Sequence, residues 1–346
     1  MADRRSIREL TQTEQDDFIA AVLALKSEFN SADGLSTYNR YVLWHQLAMF
    51  QSTPYGNDVP ETRRNYAHRG PAFLPWHREF LYRFEKDLQR VSGTPDMGLP
   101  YWDWEVDGEK PQAEQSNQPI WSLVGGTGTP VPVPGGNVFV VESGPFGTPL
   151  ADLSNPDTFD PGNPLLTLTV NSAIVNGQVR VSMARSLLMR NLGGGTIATL
   201  PTIADVNTAL NVPSYDVSPW HEGSDLSLSF RNALEGWWPG WPNPPAPGTS
   251  VGLHNQVHVW VGGSMGPGTS PNDPVFFLHH ANVDRIWSKW APSGGNEPYV
   301  PMQGGPYGHT ANDPMYPWDG RTLPEAITVL QGADPRDTVY IEPATA

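Results

Sequence analysis

Leu253-His254-Asn-Gln-Val-His258-Val-Trp-Val261, followed by Asn272-Asp-Pro-Val-Phe-Phe-Leu-His279-His280-Ala-Asn-Val-Asp284-Arg-Ile-Trp287, is the stretch whose reading decides the fold. His254 and His258 are four apart, so on a helix spanning 251–261 their rings lie on one face a turn apart, a chelating geometry. A second helix is predicted over 274–290, with Asp273 as N-cap and Pro274 in the first helical position. This helix is apolar on most sides and carries His280 near its centre; periodicity alone does not choose between His279 and His280. Neutral imidazoles inside such an apolar setting are expensive unless something satisfies them.

The same design appears upstream with different residues. A helix over 35–50 places Tyr38, Val42, His45 and Met49 along one stripe. A helix over 75–91, with Pro75 in its first turn, aligns His77, Leu81, Phe84 and Leu88 at spacings of four, three and four, so His77 points inward with the apolar stripe. His68 precedes it in a loop and can converge on His77. Six of the nine histidines thus form two triplets, His45, His68, His77 and His254, His258, His280. A lone helical histidine is ordinarily a satisfied core or surface residue; two triplets in apolar helical settings are not.

All-imidazole sites suit copper, zinc, iron or nickel. Three protein ligands leave an open position on each ion, and two such ions can hold a small diatomic between them. Copper has redox chemistry with dioxygen and zinc has none. The general-base glutamate of a zinc peptidase is missing between His254 and His258, where Asn255, Gln256 and Val257 stand. The Glu-x-x-His pairs of carboxylate-bridged di-iron proteins are also missing at these positions. The ligand set therefore points to two copper ions with O2 as co-substrate.

The chain has 346 residues, a net charge of −15 and no cysteine. The acidic balance argues against nucleic acid or an anionic membrane as partner. Zero cysteine removes disulfides, zinc–thiolate sites, thiol nucleophiles and iron–sulfur clusters together. No run approaches the ~18 apolar residues of a membrane span. No apolar segment follows Arg4 and Arg5, so no signal peptide is read, and a cytoplasmic location, or export with a partner, is expected. With 34 glycines and 36 prolines, long ordered loops should separate few regular elements.

A further helix is predicted over 11–30, where Thr11 and Glu14 fit a capping box. Shorter helices are expected at 182–191, 203–210, 226–236 and 323–331. Gln112–Arg180 reads as mostly loop, with strand-like runs at Asn137–Glu142 and Leu165–Val170, and Gly240–Ser250 as an ordered surface loop. No linker divides the chain, which is read as one domain, 1–346.

His68-Arg-Gly-Pro-Ala-Phe-Leu-Pro-Trp-His77-Arg-Glu-Phe and the Asn272–Trp287 run resemble the two signatures of type-3 copper proteins, and most of all those of bacterial tyrosinases. The resemblance extends through Leu99-Pro-Tyr-Trp-Asp-Trp104, Phe230-Arg-Asn-Ala-Leu-Glu-Gly236, Leu253–Gly263 and Asp313-Pro-Met-Tyr-Pro-Trp318, and is weakest over 112–180. It implies a mainly α fold: a four-helix bundle holding a dicopper centre, surrounded by long loops and a few short strands. It also implies that His45, His68 and His77 bind the first copper and that His254, His258 and His280 bind the second, with His279 a buried neighbour.

Asn255, just after the first histidine of the second site, and Glu235 upstream match a pair that holds a water in monophenol-hydroxylating members. A phenol has a pKa near ~10 and must lose its proton to bind a metal well, so such a water has a task. The alternative for Glu235 is a helix-end salt bridge. Val259 brings no charge beside His258, and Gly262–Thr269 should border the entrance. Asp284 is expected to pair with Arg285 or a ring N–H, His221 and His309 to be ordinary loop histidines, and Trp76, Trp102, Trp104 and Trp287 to pack the core.

The implied activity is ortho-hydroxylation of monophenols and oxidation of o-diphenols to o-quinones, with small phenols as substrates. The resemblance also admits a separate copper-loading chaperone protein as partner. The rivals are a catechol or o-aminophenol oxidase without monophenolase activity, a hemocyanin-like O2 carrier and a zinc hydrolase.

Overall fold

The computed structural model of the chain describes residues 2–53, 64–237, 252–291, 299–303 and 306–343. Helices dominate: α1 (Gln12–Ser27), α2 (Thr37–Phe50), α3 (Phe73–Ser92), the short α4 (Trp104–Gly108), α5 (Gln112–Gln115) and α6 (Pro119–Val124), then α7 (Ile203–Leu210), α8 (Phe230–Glu235), α9 (Leu253–Val261), α10 (Val275–Trp290) and α11 (Val329–Ala333). The strands are β1 (Ala2–Arg4), β2 (Phe29–Asn30), β3 (Leu35–Ser36), β4 (Thr129–Val133), β5 (Gly136–Val140), β6 (Thr167–Val175), β7 (Gln178–Ser186), β8 (Pro314–Asp319), β9 (Ala326–Thr328) and β10 (Thr338–Tyr340), paired only two by two. No helix among the described residues is long and apolar enough to cross a membrane.

The predicted capping box forms: Thr11 accepts from the Glu14 N–H while the Glu14 carboxylate accepts from Thr11. The helix ends at Ser27 because Phe29 and Asn30 pair with Leu35 and Ser36 instead. Ser36 then caps α2 by accepting from the Asn39 N–H.

α2, α3 and α10 are joined through an aromatic core. Phe84 stacks on Phe277 at 3.5 Å between ring centres, and Tyr41 meets Phe80 and Phe84 edge-on at 5.2 Å. Such pairs add about 0.5–1.5 kcal/mol each beyond their burial. Leu81, Phe84, Leu88 and the four tryptophans named above are buried, as their spacing requires. α9 lies against α10 and closes the bundle around the histidines.

The start of α10 is pinned. Asp273 accepts from the Val275 N–H at 3.0 Å and is gripped on both oxygens, at 2.7 Å each, by the guanidinium of Arg190; both side chains are fully buried. The helix begins at Val275 with Pro274, not Asp273, in the N-cap position; Asp273 stands one residue earlier and still accepts from the first helical N–H. Further along, Asp284 pairs with Arg78 at 2.6 Å, with Arg4 at 3.3 Å and with the Tyr340 hydroxyl, not with Arg285. Residues adjacent on a helix do not face one another. Arg285 points the other way, to Glu105 and Glu342.

Several expected elements differ. The segment 182–191 is not a helix; its first half belongs to β7, which pairs with β6 from Thr167↔Ser186 to Val175↔Gln178. The turn between them is Asn176-Gly177, both left-handed, which is the signature of a tight hairpin. One face of this hairpin is apolar: Leu168 and Val170 at its base are buried, while Ile174, Val179, Val181 and Met183 toward its tip are exposed. Residues 226–229 are spent on a turn around Asp225, so only Phe230–Glu235 is helical. Ala326–Thr328 pairs with β8, leaving α11 to begin at Val329 behind the Thr328 cap. The predicted loop Gly240–Ser250 lies outside the described residues.

Candidate metal centre

The histidines converge as two adjoining clusters. The nitrogens of His45, His68 and His77 lie within 4.8 Å of one another, and so do those of His254, His258, His279 and His280. α2 supplies His45, the segment before α3 supplies His68, α3 supplies His77, α9 supplies His254 and His258, and α10 supplies the last two. His77 and His280 stack at 4.2 Å, joining the two clusters.

Backbone carbonyls aim the rings. The Nδ1 of His45 meets the Gly268 carbonyl at 2.6 Å, that of His77 the Phe73 carbonyl at 2.8 Å, that of His258 the Met265 carbonyl at 2.7 Å and that of His254 the Glu235 carbonyl at 3.2 Å. In each case Nδ1 must carry the proton, because a carbonyl only accepts. Each Nε2 is therefore a bare lone pair. Those of His45 and His77 have no partner although buried. Those of His254 and His258 stand 3.3 and 3.4 Å from His280 Nε2. Two bare lone pairs thus face the third ring's Nε2, and the spacing suits three ligands about 2 Å from one ion. The donor set and its orphaned nitrogens thus fit metal ions.

Burial drives the imidazole pKa values down: His258 falls to about 4 by burial alone, and neighbouring rings add to the effect for His45, which falls to about 3, and for His68, His77, His254, His279 and His280, which drop well below the ordinary value. The rings are therefore neutral near pH 7, as ligation requires. His279 stacks on His254 at 5.1 Å and neither of its nitrogens has a partner. The close Nε2 convergence, however, is that of His254, His258 and His280.

A cavity of about 230 Å³ opens onto both clusters through His45, His68, His254 and His258. Asn255, Val259, Gly266 and Pro267 also line it, so the segment after α9 does border the site. Asn255 keeps a buried Nδ2 without a partner, while its Oδ1 lies 3.1 Å from His254 Nδ1. Glu235 is fully buried. Its Oε1 accepts from the Arg69 N–H at 2.7 Å and its Oε2 from Arg231 at 2.9 Å, so the helix-end salt bridge is present. Burial raises the Glu235 pKa, opposed by Arg231 and the Arg69 N–H. The backbone carbonyl of Glu235 and the Oδ1 of Asn255 meet at one atom, His254 Nδ1, at 3.2 and 3.1 Å.

The two histidines expected to be ordinary loop residues differ from each other. His221 is partly exposed and accepts from the Gly223 N–H at 2.8 Å. His309 is different, being fully buried: its Nδ1 accepts from the Ala72 N–H and its Nε2 meets the Asn65 carbonyl, each at 3.0 Å. It clamps the two ends of the loop that carries His68. Gly70 packs on the same ring, where an added Cβ would come within 2.9 Å. No motif surrounds His309, and the carbonyls of Met265 and Gly268 have no side-chain signature. The sequence carries no signal for these except that Gly262–Thr269 follows the helix bearing His254 and His258.

Residues 35–292 match the family model described as the common central domain of tyrosinase. The tyrosinase of Streptomyces antibioticus is 36% identical over 94% of this chain and 96% of its own. That of Streptomyces glaucescens is 35% identical over 92% and 93%. Among solved structures, a polyphenol oxidase from Thermothelomyces thermophila has a similar fold, with a TM-score of 0.62 at 22% identity, covering 99% of this chain and 89% of that one.

Proposed function

The chain belongs to the tyrosinase family, and on that premise we propose that residues 1–346 act as one catalytic domain that hydroxylates monophenols in the ortho position and oxidises o-diphenols to o-quinones. His45, His68 and His77 hold one copper, and His254, His258 and His280 hold the other. The bound coppers supply the redox chemistry with dioxygen, the co-substrate. The observation that carries this reading is the set of buried, neutral imidazoles whose bare nitrogens face one another in two clusters.

The chain's own residues do the rest. The carbonyls of Phe73, Glu235, Met265 and Gly268 hold the ligand rings in one tautomer. The cavity has room for little more than one aromatic ring with a short substituent, and its uncharged walls at Val259 and Pro267 exclude water from that ring. Glu235 and Asn255 hold a water that takes the phenolic proton. In support, Asn255 offers an unpartnered Nδ2 in the cavity wall, and burial raises the basicity of Glu235. Delivery of copper by a separate loading protein is part of the proposal, in keeping with the burial of the donors.

A second reading, oxidation of o-diphenols only, is favoured by the occupation of both Glu235 oxygens by Arg69 and Arg231. Oxygen uptake by copper-loaded protein given a monophenol and a trace of catechol separates the two. Uptake far beyond what the catechol can consume supports monophenol hydroxylation. Uptake limited to the catechol moves the assignment to a diphenol oxidase.

A further inference from the structure

Arg69 follows a proposed ligand directly, lines the cavity, and has no task in the reaction as described. Its backbone is left-handed, with φ 62°, a conformation that disfavours every residue but glycine. The Glu235 carboxylate holds it there through the Arg69 N–H at 2.7 Å. The guanidinium lies 4.9 Å from the centre of the Trp237 ring, and both side chains line the cavity beside His68 and His254. Both are only half-buried.

Among the described residues, Arg69 makes no ion pair, and no carboxylate lines the cavity with it. The other guanidiniums next to the centre are spent: Arg231 on Asp216 and Glu235, Arg190 on Asp273. A guanidinium beside an aromatic ring can still offer N–H donors, and their fork matches a carboxylate in a two-pronged grip. In a chain of net charge −15, this is one fixed positive charge facing the site where a phenol enters.

We infer that Arg69 is a specificity-determining residue: it anchors the carboxylate of phenols that carry one on the side chain opposite the hydroxyl, and it disfavours phenols bearing an ammonium group. The inference deepens the proposed phenol oxidase activity and rests on it for the substrate class. A charge-assisted grip of this kind is a discrimination of about tenfold or more between a carboxylate and its neutral amide.

Two measurements test it. In copper-loaded protein, kcat/KM is compared for 3-(4-hydroxyphenyl)propionate, its primary amide and tyramine, in the wild type, Arg69→Gln and Arg69→Lys. Ratios are read within each protein, so any general loss of activity cancels. The acid should exceed the amide by about tenfold in the wild type, tyramine should fall below the amide, and the acid-to-amide ratio should drop to near one in Arg69→Gln. Arg69→Lys, which keeps the charge, should retain a preference for the acid. In metal-free protein, calorimetric binding of 3-phenylpropionate against 3-phenylpropanamide should show the same preference and the same loss in Arg69→Gln. Equal use of acid and amide by the wild type, or a ratio that Arg69→Gln leaves unchanged, overturns the inference while the phenol oxidase reading stands. Carboxylate-selective binding lost in Arg69→Gln, with no phenol turned over by copper-loaded protein, upholds the anchor and overturns the activity instead.

Discussion

Replacing His309 by leucine unfastens the loop that carries His68. The imidazole accepts from the Ala72 N–H and donates to the Asn65 carbonyl, both at 3.0 Å, inside a site with no exposure to solvent. Leucine leaves one buried donor and one buried acceptor unpaired, at about 1–3 kcal/mol each, so the fold loses roughly 2–6 kcal/mol. For a chain of 346 residues the unfolding entropy is near 0.7 kcal/mol per degree, so the midpoint falls by about 3–8 °C. The loss also depends on pH. Burial first, and then Arg64, push the His309 pKa down to about 3. The unfolded chain therefore binds a proton below about pH 6.5 that the folded chain refuses, and the contribution of His309 shrinks as pH falls from 6.5 toward 3. At pH 5 the shrinkage is about 2 kcal/mol. Calorimetry on metal-free wild type and His309→Leu at pH 7.5 and pH 5.0 reads both effects, because all other histidines are common to the two proteins. The gap in midpoint should narrow by about 3 °C at the lower pH. An equal gap at both values would mean that the ring is not held neutral, and no gap at all would mean that it clamps nothing.

Glu235→Gln should lower kcat for monophenols by about a hundredfold while o-diphenol oxidation stays within a few-fold, read by initial rates on a matched phenol–catechol pair; equal losses on both would remove the proton-transfer role. Asp273→Asn breaks a buried two-pronged ion pair with Arg190 and should destabilise the fold by about 3–5 kcal/mol, with selective loss of the second copper, measured by denaturation and metal content. Lys26 is buried against the Tyr38 ring, 4.4 Å from its centre, and burial lowers its pKa to about 8. Since the folded pKa lies below the unfolded one, the wild type gains stability as pH rises from 8 toward 10.5; Lys26→Met should be more stable by about 3 kcal/mol at pH 7, and the difference should vanish near pH 10.5 in urea melts.

The parts of the molecule that were legible in the sequence are those where the chemistry repeats along one element. His77, Leu81, Phe84 and Leu88 mark an inward face because a helix brings them round at fixed intervals, and His254 and His258 read as a chelating pair for the same reason. Asp273 reads as a partner for the start of the helix because the Val275 N–H is local, although the N-cap position itself falls to Pro274. Its other partner, Arg190, lies far away in sequence and is placed only by the fold. The run 182–191 contains Met183, Ala184, Leu187, Leu188 and Met189, all comfortable in a helix, yet β7 forms there. The Asn176-Gly177 turn and the burial of Leu168 and Val170 against the core override that propensity. His309 and the carbonyls of Met265 and Gly268 were not legible because they act through backbone groups on segments that meet only in three dimensions.

The central claim is that two three-histidine sites each hold a copper ion, and metal content tests it most directly. Copper-reconstituted wild type, His77→Ala and His258→Ala would be freed of loose metal and analysed by mass spectrometry of the intact folded chain. The account requires two coppers in the wild type and one in each variant. A wild type that keeps a single copper, or that takes zinc in preference to copper at both sites, would contradict it.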